Sequence, residues 1–219
     1  MFNKKENLPL SERADFIRRI AEKGIVDAQY EMGVMYDKGV DGLPEDGEQA
    51  EKWYLKAALQ GHLEAQYALA WLYDTGEKIP ADAQAAARWY ETAAKAGHGL
   101  AQANLGLLYE EGEGVEQDFS QAAAWYLRAA EGGHSLAQLW LARLFAKGLG
   151  VPQDDMLAAY WYRKAAEDGD DDAMVSLARL YEEGRGVSLN VHTALEWYSR
   201  AAESGNETAR LRLNVTDVT

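Results

Sequence analysis

Apolar residues in this chain fall at helical spacing, and the whole pattern then recurs as a block. Between residues 62 and 75, Ala65, Leu69, Leu72 and Tyr73 form one apolar stripe, as expected of an amphipathic helix with ~3.6 residues per turn. Between residues 83 and 96, Ala86, Trp89, Tyr90, Ala93 and Ala94 form a second stripe. Gly76 follows the first stripe and suits a helix stop, because glycine enters the left-handed conformation without a Cβ penalty. Asp82 precedes the second stripe and suits an N-cap, its carboxylate accepting from free amides of the first turn. Its equivalents Asp46, Asp118, Asp154 and Asn190 are all capping types, and Pro44, Pro80 and Pro152 punctuate the loop two residues earlier. The block therefore predicts helix, turn, helix, closing on a glycine.

The block occurs five times. Trp-Tyr stands at 53-54, 89-90, 125-126, 161-162 and 197-198, each copy 36 residues after the last. Gly61, Gly97, Gly133, Gly169 and Gly205 keep the same beat, as do Ala-Ala pairs at 57-58, 93-94, 129-130, 165-166 and 201-202. A period of this size marks a stack of supersecondary units, each buried against its neighbours. The predicted fold is all-α, an α/α superhelical solenoid of five 36-residue helix-turn-helix repeats with a half-repeat helix at each end, twelve helices in all. The whole chain, 1–219, reads as one domain: an end helix at 9–24, repeats at 25–61, 62–97, 98–133, 134–169 and 170–205, and an end helix at 206–215. The segment from Leu10 to Ile17 aligns with Phe119 to Tyr126, which makes the first half-unit a second helix with Ser11 as its cap. Such end helices cover apolar faces that would otherwise meet water.

The fullest copy of the pattern is Ala101-Gln102, Leu105-Gly106, Leu108-Tyr109, Gly112-Glu113-Gly114-Val115, Asp118, Ala122, Trp125-Tyr126 and Ala129-Ala130. Together these residues resemble the Sel-one-like repeat (SLR) family, a relative of the tetratricopeptide repeat with a longer connecting loop. The resemblance covers about residues 25–205. It departs from the pattern at Lys78, which takes the slot of the second loop glycine, and in the first loop, one residue longer between Tyr36 and Asp46. Some members place paired cysteines in each repeat, and this chain has none, which separates it from that disulfide-stapled subgroup. The resemblance implies a non-enzymatic scaffold whose first helices line a concave groove for a peptide segment or a protrusion of a folded partner. It also implies an alternative, an immunity or inhibitor protein of the kind found among bacterial members, which binds and neutralises a toxic partner. Hydrolase activity, claimed for a few relatives, would need an acid–base or nucleophile–base pair, and no pair of residues suggests one.

Charge narrows the partner. Acidic side chains number 36 against 22 basic ones, a net charge of −14. Phosphate backbones and anionic lipid are repelled, so nucleic acid and membrane are excluded as partners and a basic protein is steered inward. The absence of Cys excludes a disulfide framework, a thiol nucleophile and a thiolate metal site. Met1-Phe2-Asn3-Lys4-Lys5 lacks the apolar run of a signal peptide, and no stretch approaches a membrane span. A cytoplasmic monomer is the expectation, a trimmed leader being the one exception. Two glycosylation sequons, at Asn206 and Asn214, are read as chance matches in such a compartment.

Several residues invite chemistry and are better read as structure. His62, His98 and His134 repeat in one slot, but stacked helices lie ~8–10 Å apart and metal–nitrogen bonds are ~2 Å, so no metal is expected there. Asp170 and Asn206 fill the same slot later, as a polar helix start would. The Gly-x-Gly loops at 112, 148 and 184 lack the preceding strand and following Lys-Ser/Thr of a phosphate loop. The run Asp168-Gly169-Asp170-Asp171-Asp172 has the wrong spacing for a calcium loop and suits a helix start. His192 stands alone, with no Ser or Asp arrangement around it. No catalytic, cofactor or metal residue is assigned, and the Trp-Tyr pairs are read as core.

Binding residues are sought where the repeats disagree. The slots of Ala65, Leu69, Leu72 and Tyr73 barely vary, whereas those of Glu64, Tyr67, Ala68, Trp71 and Thr75 vary widely. The slot of Trp71 reads Val34, Trp71, Leu107, Arg143, Arg179, and that of Ala68 reads Glu31, Ala68, Asn104, Trp140, Ser176. Trp71 and Trp140 lie outside the repeat pattern, and Trp and Arg are enriched among binding hot spots. The candidate partner-binding patch is Tyr67, Trp71, Asn104, Leu107, Trp140, Arg143 and Arg179. The competing reading packs these Trp residues against a neighbouring first helix as irregular core.

The repeat predicts an elongated, helix-dominated particle. Circular dichroism should show dominant helix, and small-angle scattering a radius of gyration well above the ~17 Å of a compact sphere of this length. A value at that limit, or appreciable strand content, contradicts the stack.

Overall fold

The structure, a computed structural model, describes residues 10–216. Twelve helices make up the described residues: α1 (Leu10–Glu22), α2 (Val26–Lys38), α3 (Gly47–Leu59), α4 (Leu63–Thr75), α5 (Ala83–Lys95), α6 (Gly99–Glu111), α7 (Phe119–Glu131), α8 (Ser135–Lys147), α9 (Asp155–Glu167), α10 (Asp171–Glu183), α11 (Val191–Glu203) and α12 (Glu207–Thr216). The even-numbered helices from α2 to α10 are the first helices of the five repeats, and the odd-numbered ones from α3 to α11 the second. Residue 9, the expected start of the end helix, lies outside the described residues. Because α1 begins at Leu10, Ser11 falls inside the helix and not ahead of it, which corrects the expected cap.

The caps follow the local chemistry. Asp46, Asp82, Asp118, Asp154 and Asn190 each accept a backbone N–H from the first turn of a second helix. At the first helices, Ala65 N–H donates to His62 Nδ1 and Ala101 N–H to His98 Nδ1, both at 3.1 Å. Asp170 accepts from Ala173 and Asn206 from Ala209 in the same slot. His134 occupies that slot without a side-chain cap bond. Gly39, Gly76, Gly112, Gly148 and Gly184 end the first helices in the left-handed conformation.

The described residues divide into two compact units, residues 10–108 with 112–116, and residues 109–111 with 117–216. In the first unit, Ile17, Met32, Met35 and Trp53 form one buried cluster, and Tyr54, Ala57, Leu69 and Leu72 another. In the second unit, Leu139, Tyr162, Leu177, Tyr198 and several alanines, among them Ala158 and Ala165, belong to one buried cluster. All five tyrosines of the Trp-Tyr pairs are buried, whereas Trp53 and Trp125 are buried and Trp89, Trp161 and Trp197 partly so. The tryptophans sit at the rim, and a cation three residues on covers the outer ring face: Lys56 at 3.9 Å from Trp53, Arg128 at 4.4 Å from Trp125, Arg200 at 4.3 Å from Trp197.

A glutamine fastens the first helix of each of the first four repeats to the end of the helix before it. Gln29, Gln66, Gln102 and Gln138 donate through Nε2 to the carbonyls of Ala21, Ala58, Ala94 and Ala130. Those carbonyls lie in the last turn of a helix, where no amide of the same helix is available. Arg210 does the same for Ala202, while Met174 fills the slot in the fifth repeat with an apolar side chain.

The second loop glycine answers a close approach. Gly114, Gly150 and Gly186 have φ of 68°, 66° and 65°, and a Cβ on any of them would overlap the backbone of Ala83, Phe119 or Asp155 respectively, at the start of the preceding repeat's second helix. In the second repeat Lys78 fills this slot, and the facing residue is Gly47, where a Cβ would overlap the Lys78 backbone. The missing side chain has moved to the other side of the same contact. Lys78 Nζ also lies 2.9 Å from Asp37 and 3.4 Å from Glu45.

Gly114→Ala should therefore cost ~1–3 kcal/mol in urea unfolding, the scale of a strained left-handed residue. Gly61→Ala, at φ 85° but facing open space, should cost less. Equal losses would show that the loop contact at Gly114 contributes nothing.

Burial, reinforced by neighbouring carboxylates, pushes the hydroxyls of Tyr54, Tyr90, Tyr126 and Tyr198 above the ordinary tyrosine value of 10.0, and burial with the Glu51 bond pushes Tyr73 up to about 12. Above pH ~10 the unfolded chain loses these protons while the folded chain holds them, so stability falls as pH rises by ~1.4 kcal/mol per pH unit per tyrosine. Alkaline titration should show helix loss and tyrosine ionisation together. Tyrosinate absorbance appearing near pH 10 with helicity intact would contradict the burial.

Candidate functional site

The candidate residues divide between the two units. In the first, Tyr67 on α4 is half-buried and stacks on His98, ring centroids 4.5 Å apart and planes at 18°. Its ring lies 5.9 Å from Tyr90 and 6.5 Å from Trp71. Trp71 is 50% exposed. Asn104 on α6 donates to the Tyr90 hydroxyl at 3.0 Å, and Leu107 is half-buried one turn on. Tyr67, Trp71, Tyr90, Asn104 and His98 are thus linked through ring contacts and a hydrogen bond.

In the second unit, Trp140 on α8 is partly buried against the core, its ring 5.3 Å from that of Tyr126. Arg143 on α8 and Arg179 on α10 occupy the same slot of adjacent repeats, both exposed and without an ion pair among the described residues. Trp71 and Trp140 share their irregularity in the sequence but not their burial. Arg179 also lines an open cleft with Glu182, Glu183, Tyr198, Thr208, Leu211 and Arg212, in which Arg212 pairs with Glu182.

The other chemical candidates have local duties. Asp170 caps α10, and His192 is exposed beside Glu196, one turn along α11, at 3.5 Å. The Nε2 atoms of His62 and His98 lie 3.7 Å from Asp27 and 3.4 Å from Glu64, at the start of the preceding first helix. Among the described residues, no three His, Asp or Glu side chains converge on a point that could hold a metal ion. No helix there is long and apolar enough to cross a membrane.

A polar lock runs through the repeats that variable-slot reading passes over. In four of the five repeats the buried tyrosine of the second helix donates to a carboxylate near the end of the first helix in the same repeat. The pairs are Tyr54 to Asp37 at 3.3 Å, Tyr90 to Asp74 at 2.9 Å, Tyr126 to Glu110 at 2.8 Å and Tyr198 to Glu182 at 3.2 Å. The fourth repeat breaks it. Tyr162 is buried, but Ala146 stands where the acid belongs. Burial pushes the Tyr162 hydroxyl up, while Ser176, Arg143, Arg185 and Arg179 oppose the shift. The signal was present in the sequence as an acid slot, Asp37, Asp74, Glu110 and Glu182, missing once. Its meaning depends on which tyrosine faces it.

Comparison with known proteins agrees with the repeat geometry. The model of the Sel1 repeat matches residues 26–62, 63–98, 99–134, 135–170 and 171–206. Among solved structures, the chain is similar to c5321, described as a protective antigen present in uropathogenic Escherichia coli strains and displaying an SLR fold, with 38% identity and a TM-score of 0.89 over 93% of this chain. This chain spans 44% of that protein's length. It is also similar to a Sel1 repeat protein from Oxalobacter formigenes, with 35% identity and a TM-score of 0.84, covering 91% of this chain and 82% of that one. A Sel1 repeat protein from Klebsiella pneumoniae, 24% identical with a TM-score of 0.53, covers 92% of this chain and 97% of its own and shares the fold. No curated protein matches the chain. Five matched repeats over most of its length, each a capped helix pair closing on glycine, mean that this chain belongs to the Sel1 repeat family.

Proposed function

We propose that this protein is a non-enzymatic scaffold that holds a protein or peptide partner on the faces of its first helices. The observation that carries the reading is Trp71. A tryptophan left 50% exposed gives up much of the burial energy its ring could contribute, and the repeat does not call for tryptophan in that slot. Beside it, Tyr67 is already held by stacking on His98, so a partner meeting this surface would order few new side chains. Trp, Tyr and Arg dominate binding hot spots for this reason. The patch consists of Tyr67, Trp71, Asn104 and Leu107 on the first unit, and Trp140, Arg143 and Arg179 on the second. Each set is a separate test of the proposal.

Net charge favours a second reading, a protein that masks a basic, toxic partner through its acidic surface. The two readings place the important residues differently. With the partner identified by affinity capture and mass spectrometry, Trp71→Ala and Trp140→Ala should each weaken binding by ~2 kcal/mol or more, with circular dichroism unchanged. Reversing Asp171 and Asp172 to Lys should slow association in a salt-dependent way if acidity steers the partner. Should both tryptophan variants bind normally while Met156→Ala or Tyr160→Ala on the exposed part of α9 does not, the second helices carry the function and the proposal is wrong.

A further inference from the structure

α8 is the one helix among the twelve described that has no Asp or Glu, and it carries Arg143 and Lys147. In a chain of net charge −14 this is a local reversal. The third and fifth repeats end their first helices with Glu110-Glu111 and Glu182-Glu183, while the fourth has Ala146-Lys147. The acid is gone, yet its donor remains, since Tyr162 is buried in the same place as its four counterparts.

The groups around that hydroxyl are unevenly committed. Arg185 is held by Asp155 at 2.8 Å and Glu183 at 3.3 Å. The Ser176 hydroxyl donates to the Asp172 carbonyl at 2.9 Å, and its oxygen remains a neutral neighbour of the Tyr162 hydroxyl whose hydrogen bonding opposes the upward shift there. Glu182 accepts from Tyr198 and pairs with Arg212. Glu110, on the Tyr126 side of Arg143, accepts from Tyr126. Arg143 stands one helical turn before Ala146 on α8 and Arg179 one turn after Ser176 on α10; both are exposed, have no ion pair among the described residues, and carry charges that oppose the upward shift of the Tyr162 hydroxyl. Ala146 is small and only half-buried, so the space an acid would fill is reachable from solvent.

We propose that Arg143, Arg179 and the Tyr162 hydroxyl form a receptor for one carboxylate of an acidic peptide segment, which takes the place of the side-chain acid that Ala146 lacks. The inference rests on the reading of the first-helix faces as the partner surface. Carboxylate is the fitting class because this chain seats one against the same hydroxyl in its four other repeats, through Asp37, Asp74, Glu110 and Glu182. Guanidinium groups add charge-assisted, forked hydrogen bonds to such a group. The chain's overall acidity does not forbid it, because charges farther off than ~8 Å are largely screened at physiological salt.

The test needs no natural partner. Ala146→Glu supplies the acid within the chain. It should raise the melting temperature by roughly 2–4 °C, the shift of a net charge-assisted bond in a protein of this size. The gain should vanish when Arg143→Gln and Arg179→Gln are added. Separately, acetylated tetraglutamate amide should shift the Arg143 and Arg179 side-chain NMR signals of the unmodified chain saturably. Its affinity should be roughly ten-fold weaker for A146E and for R143Q/R179Q. Tetraglutamine and inorganic phosphate serve as comparators. An unchanged or lower melting temperature in a folded A146E, or the same gain without the arginines, overturns the proposal. So does equal binding of tetraglutamine, or binding of phosphate without tetraglutamate. If A146E fails to fold, the peptide titration of R143Q/R179Q decides. Because the A146E comparison reads only this local site, it can hold even if partner binding survives Trp71→Ala and Trp140→Ala. That outcome would overturn the wider reading alone.

Discussion

A buried phenol needs somewhere to put its proton, and the repeats are arranged around that need. Each second helix sends a tyrosine ring into the core, where an unpaired hydroxyl costs ~1–3 kcal/mol. Four repeats meet the requirement with a carboxylate one helix back, and in one of them Asn104 adds a donor from the helix ahead. The ring supplies apolar contact and the hydroxyl supplies direction, so one residue sets both the spacing and the register of three helices. The Ala-Ala pair three residues on keeps the second helix close enough for the bond to form. The tryptophan beside the tyrosine closes the rim, with a Lys or Arg over its outer face in three repeats.

The other contacts between helices meet the same kind of demand with different groups. Glutamine Nε2 atoms satisfy carbonyls at the ends of preceding helices, and Asp, Asn and His satisfy amides at helix starts. Histidine is an unusual cap. Here its Nδ1 accepts the amide while its Nε2 lies toward an acid of the preceding first helix, so one side chain serves two elements. In the Lys78 and Gly47 pair, a contact tolerates a change on one side when the other side loses its Cβ.

Where a repeat departs from this arrangement, its first-helix surface departs with it. The fourth repeat drops its acid, keeps its tyrosine and gains Arg143, in the slot that Arg179 fills one repeat on, neither in an ion pair among the described residues. The second repeat carries a half-exposed tryptophan that packing does not require. Both departures lie on first helices. In the proposed reading they offer a partner the two kinds of contact that binding hot spots favour, aromatic burial and charge pairing.

The sequence by itself determined the number of helices, their pairing, most of their caps and the burial of the Trp-Tyr tyrosines. All of these depend on neighbours three or four residues apart or on a period that repeats five times, and such regularities are written along the chain. Ser11 misled because a capping residue type does not reveal where the helix actually starts. Only the tertiary structure distinguished Trp71 from Trp140, since both break the pattern in the same way and differ in what the adjoining helices leave open. It alone showed that Gly47 answers Lys78, and that the gap at Ala146 lies opposite a buried hydroxyl. Those relations join residues 16 to 31 positions apart, and their distances are set by how one helix rests on the next.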